Sequence, residues 1–217
     1  MKVTLVQATN HPVTLIAKIA SICYDSTPQD SKSLVKFLYL NGHHSVFEHI
    51  HFTFKIEGIS RACSHQLVRH RLCSFTQRSQ RYCDSGDFPY VVPPKIKATP
   101  YTSRSVVAKY DSLMDEISDT YKDFHTDNIP KEDARYLLPN ACCTDLYLST
   151  NLRELIHIAN ERLCVKAQWE IREVVAEMCK LVDEDLQYML VPKCKSNRII
   201  CHNKCKEKEK TKNEHQK

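Results

Sequence analysis

The run Arg69-His70-Arg71-Leu72-Cys73-Ser74-Phe75-Thr76-Gln77-Arg78-Ser79-Gln80-Arg81-Tyr82 sets cationic side chains among glutamine and serine hydrogen-bonders. Arginine presents a planar, permanently charged fork that grips a phosphate or carbonyl bidentately, while neutral donors such as Ser and Gln fix orientation. So many donors close together suit a ligand carrying several phosphates. A solvated basic face is the plain alternative for a charge run.

Further polar residues stand in ordered blocks on either side. Upstream is Gly42-His43-His44-Ser45-Val46-Phe47-Glu48-His49, and Gln66 precedes Arg69 by three. Downstream come Asp133-Ala134-Arg135-Tyr136-Leu137-Leu138-Pro139, Asn151-Leu152-Arg153-Glu154-Leu155, Arg162, and Ala167-Gln168-Trp169-Glu170-Ile171-Arg172. Arg69-His70-Arg71, seven intervening residues, Ser79 and then Arg81-Tyr82 form the pattern of the flavin-dependent thymidylate synthases. With the other blocks in the same order, the chain resembles that family from about His43 to Arg172.

The resemblance implies an α/β (α+β) fold with a central, largely antiparallel sheet flanked by helices and a helical lobe. It implies reductive methylation of dUMP to dTMP, with 5,10-methylenetetrahydrofolate as carbon donor and FAD, reduced by NADPH, as reductant. The protein then binds and orients, while the cofactor carries the redox chemistry. Carried over residue by residue, dUMP contacts fall to Gln66, Arg69, Gln77, Arg78, Ser79, Gln80, Arg81, Arg135 and Arg162, with Ser79, Arg81 and Arg135 at the phosphate. Arg162 is the catalytic candidate, a fixed cation that stabilises negative charge developing on the uracil ring. FAD contacts fall to His43, Ser45, Arg69, His70, Arg71, Gln77, Asn151, Arg153 and His157. A cytoplasmic homotetramer with active sites shared between subunits is also implied, with no nucleic acid or membrane partner and no metal at the site.

The chain departs from the family where Thr76-Gln77 replaces a common Asn-Glu pair and where His157 replaces an Asn found in some members. Gln77 keeps donor and acceptor but lacks a carboxylate. Taken without the resemblance, His70 reads as a packed core histidine, Cys73 as structural, and Arg162 as a surface partner of Glu161 or Glu154. Two rival functions are a nucleic-acid module, in which Phe75 or Tyr82 stacks on a base, and an inactive flavin-binding relative. The ordered blocks outside the basic loop weigh against the first, and Ser79, Arg135 and Arg162 together weigh against the second.

At 217 residues the chain can bury a full core. Its formal charge is +5, but much of the lysine lies between Lys204 and Lys217, so the body is nearer neutral and a general nucleic-acid surface is not implied. The only glycines are Gly42, Gly58 and Gly86, too scattered for a dinucleotide fingerprint or a phosphate loop. Any nucleotide must be held by side chains. No apolar stretch approaches the roughly 20 residues of a membrane span, and the 11 cysteines with no leader before them fit reduced, intracellular thiols.

Residues 1–190 are expected to form the functional domain and 191–217 a Cys/Lys-rich tail with a disordered end. In the tail, Cys194, Cys201, His202 and Cys205 lack the paired short spacings of a zinc site, so free or locally paired thiols are favoured over metal.

The elements that must position these residues follow from periodicity. A strand at residues 1–7 precedes two helices, the first built on Leu15, Ile16, Ile19 and Ala20, the second ending at a left-handed cap at Asn41-Gly42. Ile50, Phe52, Phe54 and Ile56 alternate with polar residues as a half-buried strand. Helical spacing from Ser60 to about Arg71 puts the Arg-His-Arg element at a helix end. Val106 to Phe124 reads as a long amphipathic helix, with the lobe boundary at Pro89–Pro100. Pro130 opens a short helix carrying Arg135, and Pro139 closes it. Asn151 with Glu154 gives a capping-box start to an apolar stripe running from Leu152 to Leu181. Arg153 and His157 fall on one flank of that stripe and Arg162 on the other.

Overall fold

The computed structural model describes residues 1–100, 102, 105–196 and 201. Strand β1 (Lys2–Ala8) leads into helices α1 (Pro12–Ser21) and α2 (Ser31–Asn41), then β2 (His51–Ser60) and α3 (Arg61–Leu67). Next come β3 (Ser74–Gln77), α4 (Pro94–Lys97), α5 (Val106–Thr126), α6 (Lys131–Ala134) and β4 (Cys143–Asn151). Helices α7 (Leu152–Arg162), α8 (Trp169–Lys180) and α9 (Glu184–Gln187) complete the order.

The four strands form one sheet in the order β1-β2-β4-β3. Its register is antiparallel: Thr53 faces Ser149 through their hydroxyls, while Gly58 N–H donates to the carboxylate of Asp145 further along. Gly58 has φ 68°, and this left-handed kink is tolerated in a strand because glycine lacks a Cβ. Sequence alternation works as expected in β2, where Phe52, Phe54 and Ile56 are buried. In β4 the buried set is Thr144, Leu146, Leu148 and Thr150. Neither β3 nor β4 is anticipated by the sequence reading.

The chain divides into two compact units. One comprises Met1, Glu57–Leu67 and Thr76–Leu146, and the other Lys2–Ile56, Val68–Phe75 and Tyr147–Lys217, so β2 and β4 contribute residues to both. Pro89–Pro100 lies inside the first unit, which corrects its expected role as lobe boundary. A proline-bearing segment need not be a linker, and here Val91 N–H donates to Ala141 at 2.9 Å while Tyr110 donates its hydroxyl to Val91 O.

The first unit packs Phe88, Met114 and Cys142 against Tyr90, Tyr110, Ile117 and Leu138. Its long helix α5 is capped by Ser105 Oγ, which accepts from Ala108 N–H. In the second unit α1 packs on α2, and α8 on both α7 and β1. Helix α2 ends where Gly42 takes φ 85°, as its position after Asn41 predicts.

Helix α7 carries Arg153 and His157 of the expected cofactor residues, with Asn151 at its N-cap. It starts where Asn151 Oδ1 accepts from Glu154 N–H at 2.9 Å, and it is held by Leu152, Leu155, Ile158 and Ala159, all fully buried. Burying each Leu or Ile contributes about 1.5–3 kcal/mol. The apolar stripe does not continue as one helix. It breaks after Arg162 and restarts at Trp169, where Gln168 Oε1 accepts from Glu170 and Ile171 N–H groups. A side chain that satisfies two orphan donors competes with helix continuation.

Candidate active site

Within the first unit, Arg78, Ser79, Gln80 and Arg81 follow β3. The strand fixes their start, because Arg78 N–H donates to Asp145 O at 2.9 Å. Gln77 is turned inward and donates its amide to Ser64 Oγ (2.9 Å) and Thr144 Oγ1 (3.2 Å). Arg78 donates to Asp84 O at 2.9 Å, and Gln80 points its amide at Cys142 Sγ. Ser79 Oγ accepts from Arg81 N–H at 3.2 Å.

Arg81 donates to one carboxylate oxygen of Glu132, Oε2, through both Nε (3.1 Å) and Nη2 (2.9 Å), presenting the edge of its guanidinium that could also grip a phosphate. Both side chains are about half exposed, so the pair is weakly held and exchangeable. Arg135, at the end of α6, donates Nε to Glu132 O at 3.0 Å. Gln66, on α3, donates to Ala62 O at 3.3 Å. The structure therefore gathers Arg81, Arg135 and Glu132, while Gln77 is committed to the interior of this unit.

The second unit holds Arg69, His70, Arg71, Asn151, Arg153, His157 and Arg162. Helix α3 ends at Leu67, so Arg69-His70-Arg71 lies in the turn beyond it rather than on its last turn. Arg69 and Arg71 are exposed and His70 is buried. A cavity of about 700 Å³ is lined by Tyr39, His44, Glu48, Asn151, Arg153 and His157, among others. Arg153 pairs with Glu48 across this cavity wall. Asn160, also lining it, is almost fully buried and donates Nδ2 to Ile156 O at 2.7 Å. Its Oδ1 has no partner among the described residues. A buried acceptor left unmade costs about 1–3 kcal/mol.

His70 is the hinge of this unit's chemistry. Its Nε2 accepts from Arg162 Nε at 3.0 Å, its Nδ1 lies 3.4 Å from Glu154 Oε1, and its ring sits edge-on to His157 at 5.8 Å between centroids. His70 thus spans the two flanks of α7 that helical projection separates. Burial, reinforced by the Arg162 charge, pushes its pKa down from 6.5 to about 4, so the ring is neutral near pH 7. Burial also raises the Glu154 carboxyl above its ordinary value, with His157 opposing. Arg162 does not pair with Glu161, which is taken by Lys193. Cys73 fits a structural role: burial pushes its thiol up to about 11 despite a hydrogen bond with Thr150.

His43 and Ser45 do not line the Asn151 cavity. They line a second cavity of the same unit, about 390 Å³, with Leu34, Phe37, Leu38 and Val46, and His43 stacks on Phe37 at 6.2 Å. The sequence reading assigned no ligand role to Glu132, Asn160, Tyr39 or His44, and treated Glu154 only as a cap or surface partner. A readable signal existed for two of them: Glu154 and Asn160 are polar residues on the apolar stripe of α7. Cys194 lies in the turn Lys193–Lys195 and Cys201 is buried, whereas His202 and Cys205, with the expected disordered end, fall outside the described residues. Among the described residues no helix is long and apolar enough to cross a membrane.

The antiparallel α+β fold thus carries an arginine cluster in one unit and a polar cavity lined by His44, Arg153 and His157 in the other. Residues 4–186 match the model of the thymidylate synthase complementing protein family. The chain is 44% identical over 194 residues to the flavin-dependent thymidylate synthase of Geobacter sulfurreducens, covering 84% of this chain and 82% of that one. It is 40% identical over 193 residues to that of Pyrococcus furiosus, covering 82% and 77%. Its fold is similar to the thymidylate synthase X of Helicobacter pylori, solved with FAD and dUMP, at TM-score 0.71 and 21% identity over 88% of this chain and 97% of that one. The chain belongs to the flavin-dependent thymidylate synthase family.

Proposed function

We propose that this chain converts dUMP to dTMP, using 5,10-methylenetetrahydrofolate as carbon donor and FAD reduced by NADPH. The observation that carries the reading is the Asn151–Arg153–His157 cavity, in a chain at 44% identity to a flavin-dependent thymidylate synthase. The cavity suits a flavin dinucleotide: its volume of about 700 Å³ lies in the range of small-molecule sites, and the unpartnered Asn160 Oδ1 marks an incompletely satisfied wall. When bound, FAD supplies the reducing equivalents that methyl formation needs.

The residues divide the remaining work. Arg153, Asn151 and His157 hold the cofactor, and exposed Arg69 and Arg71 meet its diphosphate. Ser79, Arg81 and Arg135 take the dUMP phosphate, which replaces the Glu132 carboxylate on the Arg81 fork. Arg162 places a permanent cation beside the uracil, stabilising charge that develops on the ring. His70 accepts a hydrogen bond from Arg162 and, being neutral, adds no competing positive charge. No protein nucleophile is required, in keeping with the raised thiol of Cys73. His43 and Ser45 line the neighbouring cavity, where they serve the flavin edge or the folate. The enzyme works in the cytoplasm as a homotetramer whose active sites draw on more than one subunit.

The visible spectrum tests this reading. Purified protein reconstituted with FAD should be yellow and should bleach anaerobically with NADPH, faster once dUMP is present. Protein that stays colourless with excess FAD contradicts the flavin assignment.

A further inference from the structure

Glu154 has no assigned role, yet its carboxylate is one of the few acidic side chains buried in the second unit. Side chains of Glu154 and His70 are 7% and 5% exposed, and burial alone makes an ionised carboxylate costly unless something uses it. The geometry says what does. Arginine Nε always carries hydrogen and never accepts, so the 3.0 Å contact requires His70 Nε2 to offer a lone pair. A neutral imidazole with a bare Nε2 carries its proton on Nδ1. That nitrogen faces Glu154 Oε1 at 3.4 Å.

The same reasoning excludes a metal reading of the cluster. His70, Glu154 and His157 present ligand atoms within 4.8 Å of one another. A cation on His70 Nδ1 would move the proton to Nε2, head-on against the Arg162 N–H, and a ligating histidine normally donates its other N–H to an acceptor. Arg162 is a donor. The three groups are therefore arranged around the arginine.

We propose that Glu154 is a positioning residue: it fixes His70 in the Nδ1–H tautomer, so that Nε2 anchors Arg162 Nε and sets the plane of its guanidinium. The sequence carries this device in α7, where Glu154 lies on the buried face eight residues before Arg162 and its backbone N–H is tied to Asn151. An arginine held through Nε keeps the direction of its two terminal amino groups, which is the preorganisation that electrostatic catalysis demands. The proposal rests on the reading of Arg162 as the cation beside the pyrimidine.

Nitrogen-15 NMR of histidine-labelled, FAD-loaded full-length protein tests it directly, with the His70 signals assigned from His70→Gln. At pH 7.5 the wild-type spectrum should show a protonated Nδ1 and an unprotonated Nε2. A protonated Nε2 or an imidazolium overturns the proposal, whatever the variants do. Glu154→Ala should blur that preference and lower kcat by about 10–100-fold, the usual scale for an orienting partner, with KM for dUMP near wild type. Glu154→Gln keeps an acceptor for Nδ1–H and should restore kcat to within about fivefold of wild type, a loss of about 1 kcal/mol. Wild-type kcat in Glu154→Ala, or equal loss of kcat and FAD in both variants, overturns it. Wild-type protein that forms no dTMP while showing the Nδ1–H tautomer would instead refute the functional reading and leave the tautomer assignment standing.

Discussion

The two units solve the problem of holding charge in opposite ways. In one, Arg78 and Arg81 stand at the surface, and Arg81 is paired with a half-exposed glutamate that solvent and salt can weaken. In the other, Arg162 is anchored to a buried, neutral histidine that leans on a buried glutamate. The first arrangement suits a group that must exchange partners, such as phosphate entering and leaving. The second suits a cation that must not move. Exposed arginines supply attraction, and a buried network supplies direction, because its hydrogen bonds cannot be replaced by water.

Breaking the buried side should have the largest effect. Arg162→Ala removes the fixed cation and should cut dTMP formation at least about 100-fold, on the scale of losing a transition-state donor, while FAD absorbance is retained. An active variant would take Arg162 out of the catalytic role.

Acid should sharpen the comparison next, because the buried side hides a titrating imidazole. The unfolded chain protonates His70 near 6.5, but the folded ring resists until about 4. Its contribution is therefore complete above pH 6.5 and is lost as pH falls toward 4, by roughly 3 kcal/mol in all. Urea unfolding at a series of pH values should show this slope in wild type and a flatter one in His70→Gln. Equal slopes would mean that His70 charges freely in the fold.

The exposed side should respond more mildly. Ser79→Ala should raise KM for dUMP about 5–50-fold, the loss of one or two kcal/mol of hydrogen bonding to an anion, with FAD binding unchanged. Glu132→Gln should act in the other direction. Freeing Arg81 of a surface ion pair should lower KM by up to about fivefold, since such pairs contribute about 0.2–1 kcal/mol. A raised KM in that variant would show that Glu132 orients Arg81 for the phosphate rather than competing with it.

The same contrast governs what could be read from the sequence. The Gly42 cap, the alternation in β2, the Asn151 cap and the length of α5 are local signals, and each produces the element it predicts. Strand β4 was missed because two of its four buried positions, Thr144 and Thr150, are polar. Strand β3 was missed because it lies inside the basic run and reads as a loop. The break between α7 and α8 was hidden by apolar residues that continue past Arg162, while the Gln168 cap that restarts the chain is a weak signal. The residues proposed for the site were picked out by ordered motifs, but the side chains they meet in the fold were not. That Arg162 meets His70, ninety-two positions earlier in the chain, depends on tertiary packing that no helical projection contains.

The measurement that tests the central claim most directly is product analysis by mass spectrometry. Wild type and Arg162→Ala, each loaded with FAD, are given dUMP, methylenetetrahydrofolate and NADPH. Wild type should convert dUMP to a product heavier by one CH₂ group, while the variant holds its flavin and forms almost none. Flavin-loaded wild type that leaves dUMP unchanged, or a variant that matches it, would contradict the account.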